Sequence, residues 1–129
     1  MIIWDYHGGP NQQFYIHRFQ KGTKKIENNE FILINAATGF VVSAFPLMTE
    51  AQKKTNGLNG LCVCPIMKDS ENQRWRLTRI KEGGDVFTIQ SIKSEKVMDC
   101  ENASRSNGTN VIQWEANNQK NQKWKILPA

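Results

Sequence analysis

The sequence predicts an all-β domain made of three similar units, and three observations lead to this prediction. First, one tetrapeptide pattern, Asn-Gln-x-aromatic, occurs at residues 11–14, 72–75 and 121–124. Second, its glutamine recurs after 61 residues (Gln12 to Gln73) and then after 49 (Gln73 to Gln122), spacings typical of a repeated supersecondary unit. Third, short apolar runs alternate with turn residues between the copies, and none has a convincing helical period.

The glutamine and the aromatic residue of each copy stand two positions apart. If each copy lies in a β-strand, both side chains share one face and the asparagine before them faces the other way. The aromatic residues Phe14, Trp75 and Trp124 are therefore expected in the core. A buried glutamine amide needs backbone partners, so each glutamine is predicted to tie the approaching loop to the strand. The asparagine is then left at the rim, where it can meet solvent or a ligand.

Composition limits the remaining possibilities. A chain of 129 residues is expected to form one domain, which buries about two-thirds of the surface of its unfolded chain. No apolar run reaches the length of a membrane-spanning helix, so membrane insertion is not expected. The net charge is +5, but the basic residues are scattered rather than massed, and no nucleic-acid partner is expected.

The first unit is predicted to lack two strands. Residues 1–4 are predicted as a strand, 5–10 as a turn, and 12–18 as the motif strand. In the third unit the first apolar run begins 28 residues before Trp114 (114 − 86), whereas only three residues precede Trp4. About 25 residues therefore have no counterpart (28 − 3). Because unpaired strand edges are a liability, the gap is expected to be filled by another chain or by an upstream segment.

The second and third units each contain four predicted strands. They lie at residues 30–35, 40–45, 61–67 and 73–80, and then at 86–91, 96–100, 111–114 and 123–127. A long loop is predicted over residues 46–60. Three units of this kind predict a β-trefoil that occupies residues 1–129, with repeats at about 1–19 (partial), 30–80 and 85–127.

The third unit carries a family resemblance. Asp99, the pair Asn107-Gly108, Trp114 and the motif at 121–124 follow one another in the order of the repeat of R-type lectins. The chain thus resembles, over nearly its whole length, the ricin B-chain-like β-trefoil family with its Gln-x-Trp motif. The resemblance implies carbohydrate binding, with a preference for galactose or N-acetylgalactosamine.

In that family an aspartate, an aromatic residue, and the asparagine and glutamine of the motif bind the sugar. Carried over, these roles fall on Asp99, Trp114, Asn121 and Gln122, and Asn102 is a further sugar-binding candidate. The chemistry agrees, because carboxylate and amide groups bind hydroxyls while an indole covers the apolar face of a galactose-like ring. Where the family often has a glutamine two before the aromatic, this chain has Ile112, with Gln113 on the opposite face.

The other two units are weaker candidates. In the first, Trp4, Asn11 and Gln12 form a second, partial site whose aspartate would lie in the absent part. In the second, Ser43 stands where the resemblance places the aspartate, and either Val63 or Cys64 stands where it places the aromatic residue. The second unit is therefore interpreted as structural.

The three cysteines, Cys62, Cys64 and Cys100, are expected to be buried free thiols, since an odd number with two at i and i+2 gives no disulfide framework. No metal site and no cofactor are expected. The repeat disulfide of many family members is absent, because Lys96 and Ala116 occupy those positions. The cysteine pattern and the lack of a signal peptide favour a reducing compartment, although a fragment of a secreted protein would look the same.

No enzyme motif is present, and His7 and His17 lack a nucleophile partner, so the chain is interpreted as a binding module. Two alternatives to a galactose-type lectin stay open. One is a structural or protein-interaction trefoil without a functional sugar site. The other is a binder of acidic glycans, which would use the basic residues Arg74, Arg76, Lys123 and Lys125.

Overall fold

The structure is a computed structural model that describes residues 1–18, 30–44, 60–68, 70–81 and 84–128. In these ranges the regular structure is one sheet of nine antiparallel strands, with short 3-10 turns and no α-helix. The strands are β1 (Phe14–Arg18), β2 (Glu30–Asn35), β3 (Val41–Ala44), β4 (Leu61–Cys64), β5 (Trp75–Arg79), β6 (Val86–Ser91), β7 (Val97–Cys100), β8 (Val111–Trp114) and β9 (Trp124–Lys125). The predicted all-β class is confirmed.

Strand pairing repeats with threefold pseudo-symmetry. In the second repeat β2 pairs with β3 and β5, and β3 pairs with β4. The third repeat copies this pattern, because β6 pairs with β7 and β9, and β7 pairs with β8. Neighbouring repeats join where β1 pairs with β2 and where β5 pairs with β6. The fold is a β-trefoil whose first repeat lacks its first two strands.

The joints between repeats share one register. Phe14 lies opposite Asn35 at the first joint, as Trp75 lies opposite Ser91 at the second. Four residues further on, an arginine covers a phenylalanine ring at both joints: Arg18 lies 5.3 Å from the Phe31 centroid, and Arg79 lies 5.4 Å from that of Phe87. These matching pairs define which residues are equivalent in the three repeats.

The pseudo-threefold axis is surrounded by three extended segments, which begin at Met1, Leu61 and Val111. The amino group of Met1 donates to the Leu61 carbonyl at 3.0 Å, and the Val111 amide donates to the Met1 carbonyl at 2.8 Å. Ile2 forms an isolated bridge with Asn110. The strand predicted over residues 1–4 is therefore reduced to this single bridge, since the strand that would flank it belongs to the absent part of the repeat.

The core lies inside the sheet around Trp75, which is 0% exposed. Its indole nitrogen donates to the Val42 carbonyl at 3.0 Å, so the only polar atom of the ring is satisfied. The rest of the cluster is aliphatic, apart from Met98: Leu33, Val42, Ala44, Leu61, Leu77, Ile89, Met98 and Val111. Trp124 packs against this cluster from a partly buried position.

The structure corrects the prediction for the motif itself. Its asparagine and glutamine do not lie in a strand but in a 3-10 turn that precedes it, at Pro10–Gln12, Glu71–Gln73 and Lys120–Gln122. Each turn is closed by a backbone bond to the residue after the glutamine, as from the Lys123 amide to the Lys120 carbonyl at 3.1 Å. Consecutive side chains of such a turn are not forced to opposite faces, so the predicted separation of asparagine from glutamine is wrong.

Phe14 was predicted to be buried, and this is also wrong, because its side chain is 38% exposed. The strands that would cover it are the two that the first repeat lacks. Two other strands are shorter than predicted. The one predicted over 61–67 ends at Cys64, before Pro65, which has no backbone donor, and the one predicted over 123–127 retains Trp124–Lys125. Phe45 and most of the predicted loop at 46–60 lie outside the described residues.

Candidate functional site

A buried aspartate bound by two side-chain amides forms the centre of the site. Asp99 lies in β7 and is 4% exposed. The Asn121 side-chain amide donates to Asp99 Oδ1 at 3.0 Å, and the Gln122 amide donates to Asp99 Oδ2 at 2.8 Å. Both donors come from the 3-10 turn Lys120–Gln122, so the motif of the third repeat holds the carboxyl group from one side.

The Gln122 amide has all its hydrogen-bonding groups in use. Its nitrogen also donates to the Glu115 carbonyl at 2.8 Å, and its oxygen accepts from the Asn117 amide at 2.8 Å. The glutamine thus ties the loop after β8 to the motif, as the sequence predicted for all three glutamines. This arrangement fixes the position of Asp99 relative to the end of β8.

Trp114 is the last residue of β8, and its side chain is 47% exposed. It lies opposite Val97, while Asp99 lies opposite Ile112, so Asp99 and Trp114 occupy the same face of the β7–β8 ribbon, with the Met98–Gln113 pair between their two pairs. The half-exposed indole and the buried carboxyl group thus share one face of the ribbon.

Two further residues of the third repeat take different positions: Asn102 lies at the site, and Gln113 lies on the opposite face of the β7–β8 ribbon. Asn102 is exposed, has a left-handed backbone (φ 56°), and belongs to a turn that packs against the Lys120–Gln122 turn. Gln113, by contrast, is buried on the opposite face of the ribbon, where it accepts from the Ser94 hydroxyl at 2.6 Å. Gln113 therefore holds the β6–β7 turn.

The first repeat reproduces part of this arrangement. The Gln12 amide donates to the Asp5 carbonyl at 2.7 Å and accepts from the His7 amide at 2.8 Å, which matches the backbone contacts of Gln122. Trp4 and Asn11 are both exposed. In the described part of the chain no carboxyl group contacts the Gln12 side chain, because the strand that would carry one is absent.

At the position equivalent to the Asp99 site, the second repeat carries neither a carboxylate nor an indole. Ser43 lies opposite Cys62 as Asp99 lies opposite Ile112, and Cys64 takes the register position of Trp114. Of the two residues proposed to replace the aromatic, the structure thus selects Cys64. The Ser43 hydroxyl lies 3.0 Å from the Cys64 sulfur, which also accepts from the Gln73 amide at 3.3 Å. A small buried polar network stands here in place of carboxylate and indole.

The three cysteines are free thiols, but only Cys62 is buried as predicted, whereas Cys64 and Cys100 are half-buried. Burial raises the pKa of the Cys62 thiol, and the neighbouring Cys64 raises it further. Burial also raises the pKa of the Cys100 thiol, with a smaller contribution from Asp99. Within the described ranges no group of three or more His, Cys, Asp or Glu residues is placed to hold a metal ion, and no helix is long and apolar enough to cross a membrane.

Comparison with protein families gives the site its context. Residues 71–129 match the model of the family described as ricin-type beta-trefoil lectin domain-like. Over these residues the chain is similar to the ricin-type β-trefoil lectin-like family. The match covers the motif of the second repeat and the whole third repeat, which contains Asp99 and Trp114. No curated protein sequence matches the chain significantly.

Some solved structures are similar to nearly the whole of this chain. A designed 3-fold symmetric protein, ThreeFoil, is 25% identical with a TM-score of 0.75, over 96% of this chain and 77% of that one. The exo-beta-1,3-galactanase 1,3Gal43A from Clostridium thermocellum is 21% identical with a TM-score of 0.72, over 98% of this chain but only 24% of the galactanase chain. The BEL beta-trefoil is 14% identical with a TM-score of 0.60, over 95% and 74%.

Proposed function

We propose that this protein is a carbohydrate-binding module, a lectin that takes a terminal galactose or N-acetylgalactosamine at its third repeat and catalyses no reaction. The observation that carries the proposal is the Asp99 carboxyl group, held by Asn121 and Gln122 on the ribbon face that presents a half-exposed indole. The ricin-type family match and the similarity in fold to a galactanase chain support it.

Some hydrogen-bonding groups of the site can contact a sugar, whereas others hold Asp99 in place. Asn121 uses its nitrogen for Asp99 Oδ1 and for the Cys100 carbonyl at 3.3 Å, while its side-chain oxygen has no partner among the described residues. That oxygen and the carboxyl oxygens of Asp99 are acceptors for sugar hydroxyls. Gln122 is fully bonded, so we assign it the positioning of Asp99 rather than contact with sugar.

Trp114 supplies the apolar half of the proposed site. The less polar face of a galactose-type ring carries C–H groups that can stack on an exposed indole. Asp99 and Trp114 do not line the cavities of about 880 Å³ and about 550 Å³ that lie beside β1. We expect the ligand to lie on a shallow surface instead, which predicts weak binding to a single terminal sugar, with strength gained when several sites act together.

Acidic glycans are less well supported as ligands. Two of the four cations proposed for them lie near carboxylates: Arg74 is 3.6 Å from Glu30, and Lys125 is 3.7 Å from Asp85. Such pairing reduces the net charge that a sulfated glycan would meet. A purely structural trefoil would leave the exposed Trp114 beside Asp99 without a role.

The test is a titration of the isotope-labelled domain with methyl β-galactoside, with methyl α-mannoside as the comparison sugar. The expected result is saturable NMR shifts at the Trp114 indole and the Asn121 amide with the galactoside alone, lost in Asp99→Ala and in Trp114→Ala. Tyr15→Ala is the matched control, since Tyr15 is an aromatic residue on β1 whose exposure (65%) exceeds that of Trp114 (47%). Equal responses to both sugars, or no response at millimolar concentrations, would overturn the proposal.

A further inference from the structure

The barrel of the trefoil is one strand short of closure. In the two complete repeats the first strand lies between two fourth strands: β2 pairs with β1 and β5, and β6 pairs with β5 and β9. In the described residues β1 pairs only with β2, and β9 pairs only with β6. No strand of the described residues occupies the position between β1 and β9, which pseudo-symmetry assigns to a first strand.

An apolar groove follows this opening. Phe14 and Ile16 of β1 are each 38% exposed, whereas their equivalents in the second repeat, Trp75 and Leu77, are 0% and 8% exposed. Cavities of about 880 Å³ and about 550 Å³ lie along the groove. Phe14 and Trp124 line the first, and Ile16, Ile126 and Leu127 line the second. Apolar surface of this extent, bordered by unpaired strand edges, marks an interaction site.

We infer that this groove binds an extended segment of a partner protein, which enters as the missing strand and pairs with β1 on one side and with residues 124–127 on the other. Addition of a strand to exposed sheet edges is an established mode of peptide recognition, in which backbone bonds give affinity and alternate side chains give specificity. The inference does not depend on sugar binding, because the groove runs between the first and third repeats and neither Asp99 nor Trp114 lines it.

The equivalent strand of the third repeat defines the chemistry of the partner segment. In β6 the side chains of Phe87 and Ile89 point inward, opposite Arg79 and Leu77. Gln90 points outward, where Arg76 donates to its side-chain oxygen at 3.5 Å. The partner segment therefore needs two apolar residues at i and i+2.

The position that follows them needs a hydrogen-bond acceptor, either a carboxylate or an amide. It would lie opposite Lys125, because Lys125 takes the place of Arg76 in the third repeat: each follows the tryptophan of its motif by one residue.

The aromatic residue of the first repeat fits a single inserted strand. Trp75 and Trp124 donate from their indole nitrogens to carbonyls of the second strand of their repeats, at Val42 and Met98. The equivalent Phe14 has no donor, so no carbonyl of a second strand is required there. A second copy of this chain is a poorer occupant, because each copy brings a net charge of +5 and the same open edges.

The experiment uses the 129-residue chain and a synthetic peptide with the sequence of residues 84–92, which contains Phe87, Ile89 and Gln90. The comparison peptide carries Phe87→Ser and Ile89→Ser. Hydrogen exchange of the backbone amides of β1 and residues 124–127 is measured as peptide is added. The expected result is saturable slowing of exchange by tenfold or more with the first peptide and none with the second.

One variant inside the groove and one outside it test where the peptide binds. Ile16→Lys places a charge inside the groove and should weaken peptide binding at least tenfold, while Tyr15→Lys makes the same charge change on the outer face of β1 and should not. Leu127→Lys, which is also exposed and lines the groove, is the second blocking variant should Ile16→Lys perturb the fold. Absence of any slowing at millimolar peptide would overturn the inference. So would a concentration-dependent dimer in which these amides are already protected.

Discussion

The Gln122 side chain donates a hydrogen bond of 2.8 Å to Asp99, although the two residues are 23 positions apart in sequence. The same amide group binds backbone at Glu115 and Asn117, so one side chain connects strand β7, the end of β8 and the motif turn. The residue that defines the repeat therefore also positions the carboxyl group of the proposed ligand site. Folding and the proposed ligand binding would therefore depend on the same contact.

Asp99→Asn should abolish sugar binding and destabilise the domain. The substitution keeps the size of the side chain but turns one acceptor oxygen into an NH₂ group, which then faces the donor of Asn121 or Gln122. We expect at least a tenfold loss of galactoside affinity and a decrease of about 1–3 kcal/mol in the free energy of unfolding. NMR titration and urea denaturation measure the two effects. Glu115→Gln, which removes an exposed carboxylate nearby, should leave both unchanged.

The glutamines of the second and first repeats should differ in their contribution to stability. Gln73 is 2% exposed and binds the Met67 amide at 2.7 Å and the Pro65 carbonyl at 2.9 Å. Gln12 makes the equivalent bonds at an exposed position. Gln73→Ala leaves buried groups unpaired and should cost about 2–3 kcal/mol in the free energy of unfolding, whereas Gln12→Ala should cost less than about 1 kcal/mol, because water replaces the lost partners. Equal costs from urea denaturation would contradict this interpretation.

Much of the fold could be predicted from sequence, because the same sequence pattern recurs in each repeat of a trefoil. The spacing of Gln12, Gln73 and Gln122 fixed the number of units, and alternation with turn residues located strands such as Glu30–Asn35 and Val86–Ser91, which the structure reproduces without change. The tie between each glutamine and the loop before it followed from the cost of burying an unpaired amide. These predictions rest on local pattern and on elementary chemistry.

The errors arose where a side chain's environment depends on a distant part of the chain. Phe14 takes the aromatic position of the motif, which is a core position in the other repeats, but its burial requires strands that the first repeat lacks. The prediction gave Gln122 the strand alternation of the motif, but it lies in the 3-10 turn Lys120–Gln122, and the tertiary contact with Asp99 explains why Asn121 and Gln122 point the same way. Sequence could place Asp99 and Trp114 in one repeat, but their register on the β7–β8 ribbon required coordinates.

The indole donors of Trp75 and Trp124 give a further test of pseudo-symmetry. Trp75→Phe removes the bond to the Val42 carbonyl, leaves that carbonyl unpaired in the core, and opens a small cavity. We expect a cost of about 2–3 kcal/mol. Trp124→Phe removes the equivalent bond to Met98 at 3.1 Å, but in a partly buried place that water can reach. Its cost should be about 1–2 kcal/mol, and a larger cost for Trp124→Phe than for Trp75→Phe in urea denaturation would contradict this interpretation.

The pH dependence of stability should show a maximum near pH 8. Burial raises the pKa of the Cys62 thiol in the folded state, so the unfolded state loses this proton first as the pH rises above about 8.5, and stability falls from there towards the folded pKa. Burial lowers the pKa of the Met1 amino group, so the unfolded state binds this proton first as the pH falls below about 8, and stability decreases towards the folded pKa of the amine.

Urea denaturation at a series of pH values measures both the acid and the alkaline arm of this dependence. Cys62→Ala should flatten the alkaline arm alone, despite lowering stability at every pH through the lost packing. An unchanged alkaline slope in this variant would assign that arm to another group, such as Cys100, whose thiol pKa is also raised by burial.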